Sequence, residues 1–170
     1  MALSLGIHHN GRPPLHGLNP GRVRAPAESW AGTVLPAAPA SVRTTPVVNL
    51  SLMGGEALEK HLAGLFAGRG YAVRSVPNCG EIGGALLVTR GSEGMVVQVK
   101  RWNAALGEEV VHHLLAAVRF HDDTLRTLGC TVVHGLVIST WYFTPGALEL
   151  AAGSGVVLWD RQELERQITA

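Results

Sequence analysis

The chain has 170 residues, 46% of them hydrophobic and 16% charged, with a formal net charge of +1 at pH 7. That apolar content excludes wholesale disorder, and the length suits one core burying roughly two thirds of the unfolded surface. No run approaches the roughly 18 apolar residues of a membrane span, and the opening MALSLGIHHNGRPP lacks a basic start followed by a long apolar segment, so membrane insertion and export are not expected and a cytoplasmic location is.

Seven of the nine prolines fall between Pro13 and Pro46, in a stretch that also carries Gly17, Gly21 and Gly32, with Gly11 just before it, and shows no sustained period. This predicts a flexible leader over residues 1–50 and a folded domain over 51–170. The leader sets Arg12, Arg22, Arg24 and Arg43 against Glu28 alone, whereas the rest holds ten Lys/Arg against twelve Asp/Glu. Such a basic arm suits contact with a polyanion, and a solvated arm has the same composition. Cys79 and Cys130 lack metal-ligand spacing and are too few for a disulfide framework, so reduced thiols are expected.

Leu58, Leu62, Leu65 and Phe66 make one apolar face of a helix that starts near Gly55 and stops at Gly68-Arg69-Gly70. Tyr71 to Val76 reads as a strand. Ala85 to Arg90 and Met95 to Lys100 read as a hairpin turning at Gly91-Ser92-Glu93-Gly94. Val110, Val111, Leu114, Leu115 and Val118 mark a second helix over Glu108 to Leu125, and Thr131 to Thr140 is apolar enough for a buried strand. Thr144 is suited to cap a third helix with Pro145 in its first turn. Val156 to Trp159 is a short strand, and Asp160 with Glu163 signals the start of a last helix through Ile168. The order αβββαβαβα predicts an α/β fold with a mixed central sheet flanked by helices.

Gln98 and Lys100 are two apart on a strand and share a face, with Val97 and Val99 on the other. A strand end turning polar at solvent explains this in part. Yet only Lys60 and Lys100 are lysines among fourteen basic residues, so a lysine kept beside a strand glutamine suits a compact ammonium near phosphate or a nucleophilic water. Other constellations are weaker. His112, His113 and His121 have no metal spacing, and Glu109 with His113 at i, i+4 suits a helix pair better than a dyad. Gly80, Gly83 and Gly84 form no nucleotide-binding motif. Ser139, Thr140 and Thr144 lack a defensibly spaced His and Asp, so strand-end and capping hydroxyls suffice.

The frame LEKHLAGLFAGRGYAV, a glycine-rich segment, VVQVKRW, GLVISTWYFTPGALELA and VVLWDRQEL resembles the Mrr-type restriction endonuclease domain of the PD-(D/E)XK nuclease superfamily, over about Gly54 to Ile168. Its most specific pieces are Gln98-Val99-Lys100-Arg101-Trp102 and Ser139-Thr140 followed by Phe143-Thr144 and Ala147. The resemblance implies a restriction-endonuclease-like αβββαβ core and metal-dependent hydrolysis of phosphodiesters in double-stranded DNA, with Mg2+ or another divalent cation as cofactor. It places Glu59 at the helix glutamate that binds or positions metal, Gln98 and Lys100 at the strand motif, and Arg101 within reach of a phosphate. The family's strand aspartate falls on Ala85, which offers no oxygen; Glu81, four residues earlier, is the substitute acid to weigh, with a solvated loop glutamate as the plainer account. Two functions stay open: a nuclease, impaired in cleavage, and a degenerate nuclease fold kept as a DNA-binding or protein-interaction module. Homo-oligomerisation is left open.

Overall fold

A computed structural model describes residues 50–77 and 85–169. Residues 1–49 of the proline-rich leader and the glycine segment with Glu81 lie outside the described residues, while Leu50, expected in the leader, is buried in the core. After a short 3-10 turn at Leu50–Leu52 come α1 (Gly55–Gly68), β1 (Ala72–Val76), β2 (Ala85–Arg90), β3 (Glu93–Lys100), α2 (Glu109–Thr127), β4 (Val132–Ser139), α3 (Pro145–Ser154), β5 (Val156–Trp159) and α4 (Arg161–Thr169). The order is the one the periodicities predict. The strands lie β1-β2-β3-β4-β5 in one sheet. β1 with β2 and β2 with β3 are antiparallel, whereas β3 with β4 and β4 with β5 are parallel. Helices α2 and α3 are the crossovers that parallel neighbours require.

Alternation along the strands divides the core into two layers. Ala85, Leu87, Val96 and Val137 face α2 and α3, joined by Val111, Leu114, Ala117 and Ala147. Leu86, Val88, Met95, Val97, Leu136 and Ile138 face the other way, against Leu58, Leu62 and Phe66 of α1 and Leu164 of α4. A fully buried side chain of this size contributes about 1.5–3 kcal/mol by leaving water, so both faces are covered for a strong reason.

Local chemistry fixes the element ends. At the end of α1 the Gly70 N–H donates to the Ala67 carbonyl at 3.0 Å and the Tyr71 N–H to the Phe66 carbonyl at 3.1 Å. Gly70 sits at φ +83°, where a side chain would be strained. Tyr71 then packs edge-on to Phe66, with ring centroids 6.0 Å apart. Arg69 turns inward from this cap and, only 7% exposed, donates to Gln167 Oε1 at 3.0 Å, tying α1 to α4. Thr144 accepts from the Ala147 N–H at 3.3 Å with Pro145 in the first turn of α3, and Asp160 accepts from the Glu163 N–H at 2.8 Å.

The hairpin turn is tighter than the sequence suggests, because β3 starts at Glu93 and Arg90 pairs with Glu93. Gly94 belongs to the strand: a Cβ there would come 2.9 Å from Cys130 Sγ. The glycine is a packing requirement where a turn was expected.

Candidate active site

β3 carries Gln98 and Lys100 out on the face that Val96 shares with α2 and α3. Gln98 is 1% exposed and Lys100 only partly exposed, so the amide is closed off from solvent while the ammonium approaches it. Across the parallel ladder Gln98 neighbours Val137 and Lys100 neighbours Ser139. Ser139 is buried, and its Oγ accepts from the Trp141 N–H at 2.9 Å, the strand-end role expected of it.

On the antiparallel side the last ladder pair is Leu86 with Val97. One step further the register sets Ala85 opposite Gln98. Ala85 is 5% exposed and packs in the apolar layer with Leu87 and Val96. A methyl group therefore faces Gln98 across the ladder.

Glu59 is half-buried on α1, one residue after Leu58. Because α1 runs through a tight cap into β1, its first turns lie at the end of the sheet where β1 finishes and β2 begins. That is also the end at which β3 reaches Gln98 and Lys100. The helix covers the opposite face, however, since Leu58, Leu62 and Phe66 pack against Val97 and Ile138. Glu59 thus shares an end of the sheet with Gln98 and Lys100 and belongs to the other layer.

Among the described residues no group of three or more His, Cys, Asp or Glu side chains is placed to hold a metal ion. Magnesium takes oxygen ligands and sheds water reluctantly, so one helix glutamate and a buried amide are a poor donor set. The described residues do not fit a divalent-metal centre. The histidines of α2 fit none either: His112 and His113 are exposed, while His121 is buried and desolvation lowers its pKa. Glu109 turns its carboxylate back to accept from the Gly107 N–H at 3.1 Å, which binds it to the start of α2. Cys130 is buried and free, with its thiol pKa raised by desolvation, as an inert structural thiol should be.

A cleft of about 380 Å³, unforeseen from the sequence, opens at the same end of the sheet, beyond the ends of β3 and β4. Arg101, Trp102, Asn103, Thr140, Trp141 and Arg161 line it, with Leu50 beneath. Its rim is pinned by backbone bonds: Thr140 N–H to the Lys100 carbonyl at 3.2 Å and Arg161 N–H to the Trp141 carbonyl at 3.2 Å. Thr140 Oγ1 accepts from the Trp102 N–H at 3.2 Å and lies 3.1 Å from the Trp102 carbonyl, to which it donates. The signal was available, because KRWN and STWYF each place an aromatic ring two residues past the end of a strand.

A restriction endonuclease family model, that of the Mrr catalytic domain, matches residues 50–168. Among solved structures the chain is similar to a crystal structure described as a protein of unknown function, AF1548, at 20% identity and a TM-score of 0.43, over 59% of this chain and 54% of that one. The chain thus spans about half the length of that protein. Comparison with curated proteins gave no match. With the family match covering nearly the whole of the sheet and its helices, the chain belongs to the Mrr-type restriction endonuclease family.

Proposed function

We propose that this nuclease-family domain engages double-stranded DNA with the strand ends that carry Lys100 and Arg101, and that metal-dependent phosphodiester hydrolysis, its ancestral chemistry, is impaired. One observation supports the impairment: Ala85 packs into an apolar layer opposite Gln98 and supplies no oxygen. Restriction-endonuclease-like domains generally depend on a divalent metal. The acids left for that task are Glu59, on the helix over the other face, and Glu81.

DNA contact does not depend on a metal. Lys100 is a compact ammonium at the end of β3, and Arg101 follows it as an exposed guanidinium. The sequence outside the leader carries fewer basic than acidic residues, so attraction to phosphate is local and sensitive to salt. Gln98, shut away from solvent, would hold the strand end on which Lys100 stands.

The test is fluorescence anisotropy with a short labelled duplex over a salt series, followed by incubation of the same complex with Mg2+ or Mn2+. Binding that weakens as salt rises, with feeble cleavage or none, is expected. Absence of binding at low salt would leave a protein-interaction module. Cleavage with Mg2+ that is lost on Glu81→Ala would show a working site with a migrated carboxylate.

A further inference from the structure

We infer that the cleft beyond β3 and β4 is a binding site for a single unstacked nucleotide of DNA, its base against Trp102 or Trp141 and its phosphate against Arg101 and Arg161. The inference rests on the DNA reading above and goes beyond it, since a duplex alone has no base to place there.

Size is the first argument. At about 380 Å³ the cleft is at the small end of ligand pockets, roughly 300–1,000 Å³. It has room for a nucleotide and none for a double helix. Chemistry is the second. Of the lining rings Trp102 is 57% exposed and Trp141 half-buried, and Tyr142, outside the lining, meets Trp141 edge-on at 5.5 Å. Large aromatic rings left at the surface in a group suit a partner that has planes to stack, and every base offers a π-face once it leaves its own stack.

Charge is the third. The described lining residues include two arginines and no carboxylate. Arg161 bonds Glu165 at 2.9 Å through Nε, but that pair is solvent-exposed on both sides, so an incoming phosphate competes with it on favourable terms. Asp160, which precedes Arg161 in the chain, directs its Oδ1 to the Glu163 N–H. Asn103 adds an amide able both to donate to and to accept from a base edge.

Preorganisation is the fourth. Thr140 staples Trp102 to the end of β4 through two bonds, and the Trp141 carbonyl anchors the start of α4. The backbone that carries these rings and guanidiniums is therefore fixed at two strand ends and at the start of α4, which lowers the cost of ordering the site on binding. The site lies one residue beyond Lys100, so a nucleotide held there would continue the phosphate path across the end of β3.

The experiment compares a labelled oligothymidylate single strand with a fully paired duplex, using the full chain and reading both anisotropy and quenching of tryptophan emission. The inference expects single-strand binding with quenching, weakened about five- to a hundredfold by Trp102→Ala and largely kept by Trp102→Phe, which preserves a ring. Trp102 is exposed, so thermal unfolding of these variants should match the parent. Duplex binding without single-strand binding would overturn the inference and leave the DNA reading standing. Single-strand binding without duplex binding would support the inference and refute the duplex reading. Binding to neither would overturn both. Equal affinity of Trp102→Ala and the parent for the single strand, together with unchanged affinity in Trp141→Ala, would also overturn it.

Discussion

Ala85 at the head of β2 stands opposite Gln98 near the end of β3, one ladder step past the pair Leu86 and Val97. An alanine methyl and a buried amide thus stand side by side, at the position where we propose that the missing acid of a metal site would lie. Ala85→Asp tests this directly. The new carboxylate enters a layer where Ala85 is 5% exposed, so without a counter-charge it should destabilise the fold by about 1–3 kcal/mol. If the strand ends still make a site, Mn2+ or Mg2+ should raise the melting temperature of this variant and leave the parent unchanged, because a ligand that binds only the folded state stabilises it. DNA cleavage should then appear. Lys100→Ala on that background should abolish cleavage while keeping the metal-induced rise in melting temperature. A melting temperature indifferent to both cations would mean that one carboxylate is not enough.

A second expectation concerns the seam between α2 and β4. Gly135 is buried, and a Cβ there would meet Leu114 Cδ2 at 2.9 Å and Val118 Cγ2 at 3.2 Å. The helix therefore lies directly on the strand backbone. Gly135→Ala should cost about 1–3 kcal/mol by overpacking. Leu114→Ala should be destabilising too, but the double variant should be more stable than the sum of the two losses, since the new methyl enters the space the leucine left. Urea denaturation of the three variants measures this; strict additivity would show that α2 simply shifts away.

The order and type of all nine helices and strands described were legible because apolar periods of about 3.6 and 2 residues alternate cleanly from Leu58 onward. Caps were legible for the same kind of reason: Thr144 before Pro145 and Asp160 before Glu163 satisfy orphan N–H groups in a way few other residues can. Gly94 was misread as turn because glycine at a turn and glycine under a helix look alike in one dimension. The cleft was passed over for a deeper reason. Arg101, Trp141 and Arg161 lie apart in the chain and meet only because β3, β4 and β5 are parallel neighbours that end together. The shared face of Gln98 and Lys100 followed from strand alternation, whereas the layer that Glu59 belongs to required knowing which side of the sheet α1 covers.

Stability should fall as the pH drops below neutrality. Desolvation lowers the pKa of His121, and lowers that of His134 against a smaller opposing effect of Glu93. A histidine whose folded pKa is depressed is neutral in the fold while the unfolded chain, near 6.5, takes up a proton. The unfolded state therefore gains as pH falls from about 7.5 through that value, and the loss of stability continues until the folded pKa values are passed. Urea midpoints measured from about pH 7.5 to about pH 5.5 should decline, and His121→Phe with His134→Gln should flatten the decline. A midpoint independent of pH over that span would remove this account.

The last expectation is where folding begins along the chain. Leu50 is 7% exposed and packs in the layer under α1 and α4, and its carbonyl accepts from the Met53 N–H at 3.4 Å. It is the earliest described residue to contribute apolar burial. A chain shortened to start at residue 49 should therefore unfold at nearly the same urea concentration as the full chain, since it keeps that contact. Leu50→Ala in the full chain should instead lose about 2–5 kcal/mol, toward the lower figure because the site borders the cleft and its surroundings are free to relax. The same substitution should leave the sheet order intact, as α1 retains Leu58, Leu62 and Phe66 against it. If the shortened chain proved as unstable as Leu50→Ala, residues before Leu50 would have to supply part of the core, and the folded unit would start earlier than the apolar pattern indicates.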